Sequence, residues 1–255
     1  MKRVATALVL IPTITYVVVW GDYWLFAAVL SAIALLCYRE YDTFVANHAI
    51  EAPGWIGYPL GLVLLHAPAP EAIFVLAALL FLATSLRSAD LRHALPRAGA
   101  GALGMLYVFG TWRTGIALRV ADPWWLLFAC ALNWVGDTAA YYVGRAIGKR
   151  KLAPRVSPGK SWEGAIASVI GSMLFGYFFM PRVLPAVDAW KFLLMAGVAN
   201  AAGQLGDLSE SAMKRGAGMK DSSNLLPGHG GWLDRVDSSL FAMPVVYVLK
   251  QLLGV

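Results

Sequence analysis

Nine apolar runs, each closed off by charged or turn-forming residues, decide what this chain can fold into. They cover residues 4–20, 23–38, 55–67, 71–86, 99–118, 123–144, 162–180, 189–206 and 238–253. A membrane-crossing helix needs about 17–25 mostly apolar residues. In hydrocarbon a segment must satisfy its own backbone hydrogen bonds, so such runs are expected to be helices. The chain as a whole is 59% hydrophobic and only 14% charged, where ordinary globular domains carry about 25% charge. The expectation is an all-α integral membrane protein with about nine transmembrane helices. The third run is short, and Arg113 interrupts the fifth.

Charge placement predicts an orientation. Lys2 and Arg3 precede the first apolar run, and no small-residue cleavage site follows it. This predicts an uncleaved first span with the N-terminus in the cytoplasm. With that start, all of the 21 basic residues except Arg113, Arg119, Arg182, Lys191 and Lys250 fall on inner segments, as the positive-inside rule expects. An odd number of spans brings the Arg145–Lys160 and Ser211–Asp237 loops to the same cytoplasmic side, where a soluble anionic metabolite meets both. The expected location is a prokaryotic inner (plasma) membrane with the active site facing the cytoplasm. Residues 1–120 read as N-terminal transmembrane helices with little internal polarity. Residues 121–255 read as a catalytic transmembrane region with cytoplasmic polar loops.

Some features carry no chemistry by themselves. Cys37 and Cys130 lie in apolar runs without metal-ligand spacing and read as core fillers. Arg39-Glu40-Tyr41-Asp42 reads as a charged helix end. His48, His66 and His93 lie in or beside loops without evident partners. Trp20, Trp24, Trp124 and Trp125 sit near span ends, as an interfacial aromatic belt requires.

Three polar groups stand out against this background. Asn133, Asp137 and Tyr141 are spaced i, i+4, i+8 and share one helix face. An ionisable group inside a span is costly and faces a polar interior; a structural network between helices and a substrate surface both fit. Next comes Ser157-Pro-Gly-Lys160-Ser161-Trp-Glu163-Gly164. Its Gly-Lys-Ser suggests a phosphate-binding P-loop, but that motif needs a glycine at position 154, which is proline. What remains is a basic loop feeding a helix start, with Ser161 as N-cap and Glu163 in the first turn. Such a helix start can hold phosphate.

The third group is the longest polar run in the chain, Ser211 to Ser238, together with the residues just before it. Asp207, Glu210 and Ser211 form D-x-x-E-S; Asp234, Asp237 and Ser238 form D-x-x-D-S. In a helix each set clusters on one face. Carboxylates and hydroxyls facing each other suit a hard cation such as Mg²⁺, which keeps one or two carboxylates and takes substrate phosphates as well. Lys214, Arg215, Lys220, His229 and Arg235 supply positive charge, while Gly216, Gly218, Gly228, Gly230 and Gly231 permit tight turns and close backbone approach. This is equipment for polyphosphate. A solvated loop whose acids and bases simply pair is the alternative.

The run Ser211-x-x-Lys214-Arg215-x4-Lys220-Asp221-x-Ser223-x2-Leu226-Pro227-Gly228-His229-Gly230-Gly231-x2-Asp234-Arg235-x-Asp237 resembles the signature of the phosphatidate cytidylyltransferase (CDP-diacylglycerol synthase) family. The groups at 133–145 and 157–164 are similar to that family's other polar segments. Over the first 120 residues the likeness is one of hydropathy alone.

The resemblance implies an integral membrane enzyme that makes CDP-diacylglycerol and pyrophosphate from CTP and phosphatidate with Mg²⁺, with or without a second cation. It implies an all-α transmembrane fold, often dimeric, so the expected partners are CTP, phosphatidate, the bilayer and a second copy of the chain, with no nucleic acid. It makes Asp207 and Asp234 the metal-centre carboxylates. Asp237 and Asp137 read, from their own positions, as assisting or holding a second ion. Lys220 and Arg235 join Asp207 and Asp234 as catalytic candidates. Asn133, Asp137, Tyr141, Ser157, Lys160, Lys214, Arg215, His229, Gly230 and Gly231 are the substrate-binding candidates. A related transferase using another lipid phosphate, such as an isoprenoid one, remains open, and an ion-coupled transporter is the reading from another class.

Overall fold

The computed structural model describes the chain except residues 1, 52, 53, 89 and 227–229, and gives no side chains for residues 2–10. The helices follow in order: α1 (Lys2–Val19), α2 (Tyr23–Asn47), α3 (Gly57–His66), α4 (Pro70–Thr84), α5 (Ala94–Gly104), α6 (Thr111–Ala121), α7 (Pro123–Ile147), α8 (Trp162–Val183), α9 (Ala189–Gly216) and α10 (Leu233–Leu252). Between α5 and α6, Met105–Gly110 winds as a π-helix, so residues 94–121 run on without a break.

Local chemistry explains where these helices start. Asp22 precedes α2 and its side chain accepts the Leu25 N–H (2.8 Å). Pro70 opens α4 at a position where its missing N–H costs nothing. Asp122 caps α7 by accepting the Trp124 N–H (2.9 Å), with Pro123 next in line. Ser161 caps α8 by accepting the Gly164 N–H (3.2 Å), and Glu163 sits in the first turn. That last arrangement is the one its sequence predicts.

Each apolar run lies on helix, and the all-α expectation holds apart from one small hairpin. Strand β1 (Lys151–Ala153) pairs antiparallel with β2 (Ser157–Ser161). Among the described residues, three stretches are long and apolar enough to cross a membrane: Tyr23–Asn47, Pro70–Arg87 and Trp162–Val183. Helix α3 has only 10 residues, about 15 Å of rise against a hydrocarbon core of about 30 Å. The outer sides of α4 and α8 expose Leu76, Leu79, Leu82, Ile166, Ile170 and Phe178.

The chain forms two compact units. The first consists of Met1–Val17, Gly21–Arg113 and Met213–Arg235; the second of Val18–Trp20, Thr114–Ala212 and Val236–Val255. The first unit is packed by rings against small residues. A Cβ at Gly61 would stand 2.2 Å from the Phe109 ring, and one at Gly101 2.6 Å from Phe81. Tyr38, Tyr41, Phe81 and Phe109 are all buried there. Arg113 ties the start of α6 to the end of α3 by donating to Ala67 O (3.3 Å).

In the second unit α7 packs along α8 through small and polar residues. A Cβ on Gly136 would come within 2.5 Å of Ser168 Oγ, and one on Gly171 within 2.9 Å of Ala139. Ser172 donates to Leu132 O (2.6 Å). Such small residues let helix backbones approach closely. On α9, Gly203 lies against Asn133 and Gly206 against the backbone of Asp237, which brings α7 and α10 onto the same helix.

Candidate functional site

In the first unit the site is built around Asp234, in the opening turn of α10 and ahead of the apolar run 238–253. Its Oδ2 accepts the Ser222 N–H, the Ser222 hydroxyl and the Gly231 N–H, each at 2.8 Å. Its Oδ1 is ion-paired with Lys214, near the end of α9. The two side chains are 10% and 6% exposed. Burial pushes the Asp234 carboxyl up, but the Lys214 ammonium, the two amides and the Ser222 hydroxyl outweigh it and hold the group below the ordinary carboxylate range.

The glycines at 230 and 231 make this possible. Gly230 has φ +79, and a Cβ on it would stand 2.5 Å from Asp234 Oδ2. At Gly231 a Cβ would meet Ser222 Oγ at 2.0 Å. Leu226 N–H bonds to Gly230 O (2.9 Å) and closes the turn. His229, a substrate-binding candidate, lies outside the described residues, with Pro227 and Gly228. Arg215 is exposed and donates to Met219 O (3.1 Å). Lys220 and Arg235 stand exposed at the surface of the same segment.

A residue missed as functional completes this cluster. Glu40, on α2, is 2% exposed and accepts from Ser222, Ser223, Trp232 and Leu233. Its sequence signal was a carboxylate near the end of an apolar run predicted to finish on the same side as the motif loop.

In the second unit, Lys160 at the end of β2 pairs with Asp207 on α9, and Ser211 Oγ lies 3.3 Å from the other Asp207 oxygen. A cavity of about 410 Å³ opens beside them, lined among others by Asp137, Tyr141, Arg145, Lys160, Ser161 and Gln204. The hairpin puts Lys160 there: Trp162 N–H bonds Arg150 O (2.9 Å) and Arg150 N–H reaches Glu163 (3.2 Å), folding the basic loop back on the start of α8. Gln204 donates to Ala165 O (3.1 Å) and to Asn200 (2.8 Å).

The predicted face of α7 is graded rather than uniform. Asn133 is buried and donates to Ala129 O (3.2 Å). Asp137 and Tyr141 are exposed on the cavity, and Tyr141 Oη accepts from Arg145 (2.9 Å). Ser157 opens β2, half-buried. Asp237 is buried against α9. The structure thus gathers Asp137, Tyr141, Lys160 and Asp207 in the second unit, and Lys214, Gly230, Gly231 and Asp234 in the first.

Among the described residues no group of three or more His, Cys, Asp or Glu side chains gathers as a metal cage. Each of the two carboxylates expected to hold Mg²⁺ instead carries a lysine ammonium. Oxygen donors already engaged with a cation fit a hard ion that takes one or two carboxylates and completes its shell with water and phosphate.

Comparison with known proteins agrees with this equipment. A phosphatidate cytidylyltransferase of Haemophilus influenzae is 42% identical over 146 residues, covering 54% of this chain and 51% of that protein. The Bacillus subtilis enzyme of the same name is 39% identical over 153 residues, 59% of this chain and 57% of its own. The chain thus spans about half the length of these relatives. An Escherichia coli protein named uncharacterized protein YnbB is 32% identical over 250 residues, 90% of this chain and 80% of that one. The family model described as the cytidylyltransferase family matches residues 1–253. The chain belongs to the cytidylyltransferase family.

Proposed function

We propose that this protein transfers the cytidylyl group of CTP to phosphatidate, giving CDP-diacylglycerol and pyrophosphate. The observation that carries the reading is the buried Lys214–Asp234 pair, set by backbone amides at the start of α10 within the motif. Two relatives named phosphatidate cytidylyltransferase support the choice of acceptor.

The phosphatidate phosphate is anionic near neutral pH and needs no strong base. Its oxygen forms a bond to the α-phosphorus of CTP as the bond to the bridging oxygen breaks, and pyrophosphate departs with that electron pair. The obstacle is the approach of two polyanions, so catalysis is positioning and charge neutralisation. Asp207 in the second unit and Asp234 in the first are each a carboxylate that would hold Mg²⁺, which supplies charge neutralisation of the phosphates. Lys160 and Lys214 exchange their carboxylate partners for phosphate oxygens when substrate arrives. Arg215, Lys220 and Arg235 add positive charge around the triphosphate. The lipid phosphate enters the cavity beside Asp137, Tyr141 and Lys160, with its acyl chains left among lipids. Asn133 and Asp237 hold α7 and α10 against α9 behind it.

The setting we propose is a prokaryotic inner membrane, with nine helical segments in the bilayer, α3 reaching only partway, and the site facing the cytoplasm. The protein works there as a homodimer.

The test is pyrophosphate release by the full chain in detergent with Mg²⁺, CTP and phosphatidate, omitting each in turn. Release that needs all three, with a CDP-lipid product, is the expected result. Release with an isoprenoid phosphate in place of phosphatidate moves the protein to a sister reaction. Silence with every lipid phosphate overturns the enzyme reading.

A further inference from the structure

The motif segment is held from outside the motif, by α2. Glu40 Oε1 accepts the Ser223 hydroxyl (2.6 Å) and the Trp232 N–H (3.0 Å); its Oε2 accepts the Ser222 hydroxyl (2.8 Å) and the Leu233 N–H (2.7 Å). All four donors come from residues 222–233, about 190 positions away in sequence. Trp232 and Leu233 present amides at the opening of α10, where backbone N–H groups lack helical partners and favour an anion. Two further contacts come from the end of the same helix: Asn47 Nδ2 lies 3.1 Å from Met219 Sδ, and His48 Nε2 donates to Met213 O (3.1 Å).

Ser222 joins the buried carboxylate of Glu40 to that of Asp234. Its Oγ is 2.8 Å from Glu40 Oε2 and 2.8 Å from Asp234 Oδ2. A hydroxyl has one proton to donate, so the two carboxylates share it. The same residue also gives Asp234 its backbone N–H. Wherever Glu40 holds Ser222 and the 232–233 amides, it fixes one direct partner of Asp234, Ser222, and the two residues between Gly231 and Asp234. Gly231, which a Cβ would drive to within 2.4 Å of Glu40, lets the two carboxylates share this small space.

We propose that Glu40 is a positioning residue for Asp234, acting through Ser222 and the first amides of α10. Glu40 is too buried to meet substrate itself. The inference rests on the reading of Asp234 as an active-site carboxylate, but its geometric half can be tested without that reading. A displacement of the order of 1 Å at a reacting centre costs about 100-fold in rate, so loss of Glu40 should appear in turnover rather than in substrate affinity.

The experiment compares wild type and Glu40→Gln, as full-length protein in detergent, by pyrophosphate release and by hydrogen exchange over residues 213–235. Glutamine offers one acceptor oxygen to four donors. The expected result is kcat down about 10- to 100-fold with KM for CTP within about threefold, and faster exchange confined to the 222–233 amides. An unchanged kcat beside faster exchange reduces Glu40 to a loop staple and overturns the proposal, as does unchanged exchange. If Glu40→Gln does not fold, Ser222→Ala carries the test, because it deletes the link and leaves Glu40 three donors; a wild-type kcat there overturns the proposal. If wild type releases no pyrophosphate with any lipid phosphate, the enzyme reading fails, and exchange at Ser222 and Gly231 still decides whether Glu40 sets the groups around Asp234.

Discussion

Gly230 lies so close to Asp234 that no side chain fits between them: φ at Gly230 is +79 and an added Cβ would stand 2.5 Å from Asp234 Oδ2. Gly230→Ala therefore meets strain twice, once in the backbone and once against the carboxylate. The backbone part alone is worth about 1 kcal/mol. We expect turnover to fall by at least about tenfold with a small drop in Tm. Pyrophosphate release and thermal unfolding in detergent check this; wild-type turnover would show that the turn tolerates a methyl.

Breaking the Lys214–Asp234 pair should harm the fold more than removing it. Both side chains are nearly buried, and loss of one partner of a buried pair costs about 3–5 kcal/mol, while apolar replacement of both is often neutral. Lys214→Met should lower Tm clearly, and Lys214→Met with Asp234→Asn, whose Oδ1 still accepts the Ser222 and Gly231 amides, should recover most of it. Both proteins should be inactive. A double variant less stable than either single one would contradict this.

The Lys160–Asp207 pair is different, because each side chain is 29% exposed. A partly solvated pair contributes at most about 1 kcal/mol. Lys160→Ala should leave Tm nearly unchanged and lower kcat/KM by at least about 100-fold if the lysine neutralises phosphate. A Tm loss without a kinetic one would assign the lysine to structure.

The depressed Asp234 carboxyl gives a pH dependence of known sign. The folded state binds this proton less readily than the unfolded chain, whose carboxyl titrates near about 3.9. The stabilisation is then complete above that value and is lost as pH falls through the lower folded value. The Tm difference between wild type and Asp234→Asn should stay level from about pH 8 to 5 and shrink below about pH 4. A difference that grows on acidification would reverse the assignment.

Much of the fold is legible in the chain because its signals are local. Apolar length marks the helical segments, and the caps at Asp22, Asp122 and Ser161 are written within three residues of the amides they satisfy. The site candidates Lys160, Asp207, Lys214 and Asp234 stand out because charge is scarce. The hairpin at 151–161 has no sequence signal, since its strands are short and rich in lysine, proline and serine rather than β-branched residues. From sequence Glu40 reads only as a helix end, because its four donors lie in the distant motif loop and no local pattern reports a partner so far along the chain. The inclusion of residues 213–235 in one compact unit with α2 to α5 is of the same kind.

The rings pressed onto Gly61 and Gly101 have an evolutionary corollary. In the bilayer setting proposed above, leucine gains little by moving from the outer side of a helix to its inner side, so cohesion there comes from fit. Substitutions should therefore accumulate unevenly. The exposed leucines of α4 are free to drift among apolar types, while a single added methyl at either glycine needs a matching loss of bulk at Phe109 or Phe81. Related chains that carry alanine at one of these glycines should carry a smaller residue opposite it, a covariation that lineage records can reveal without any assay.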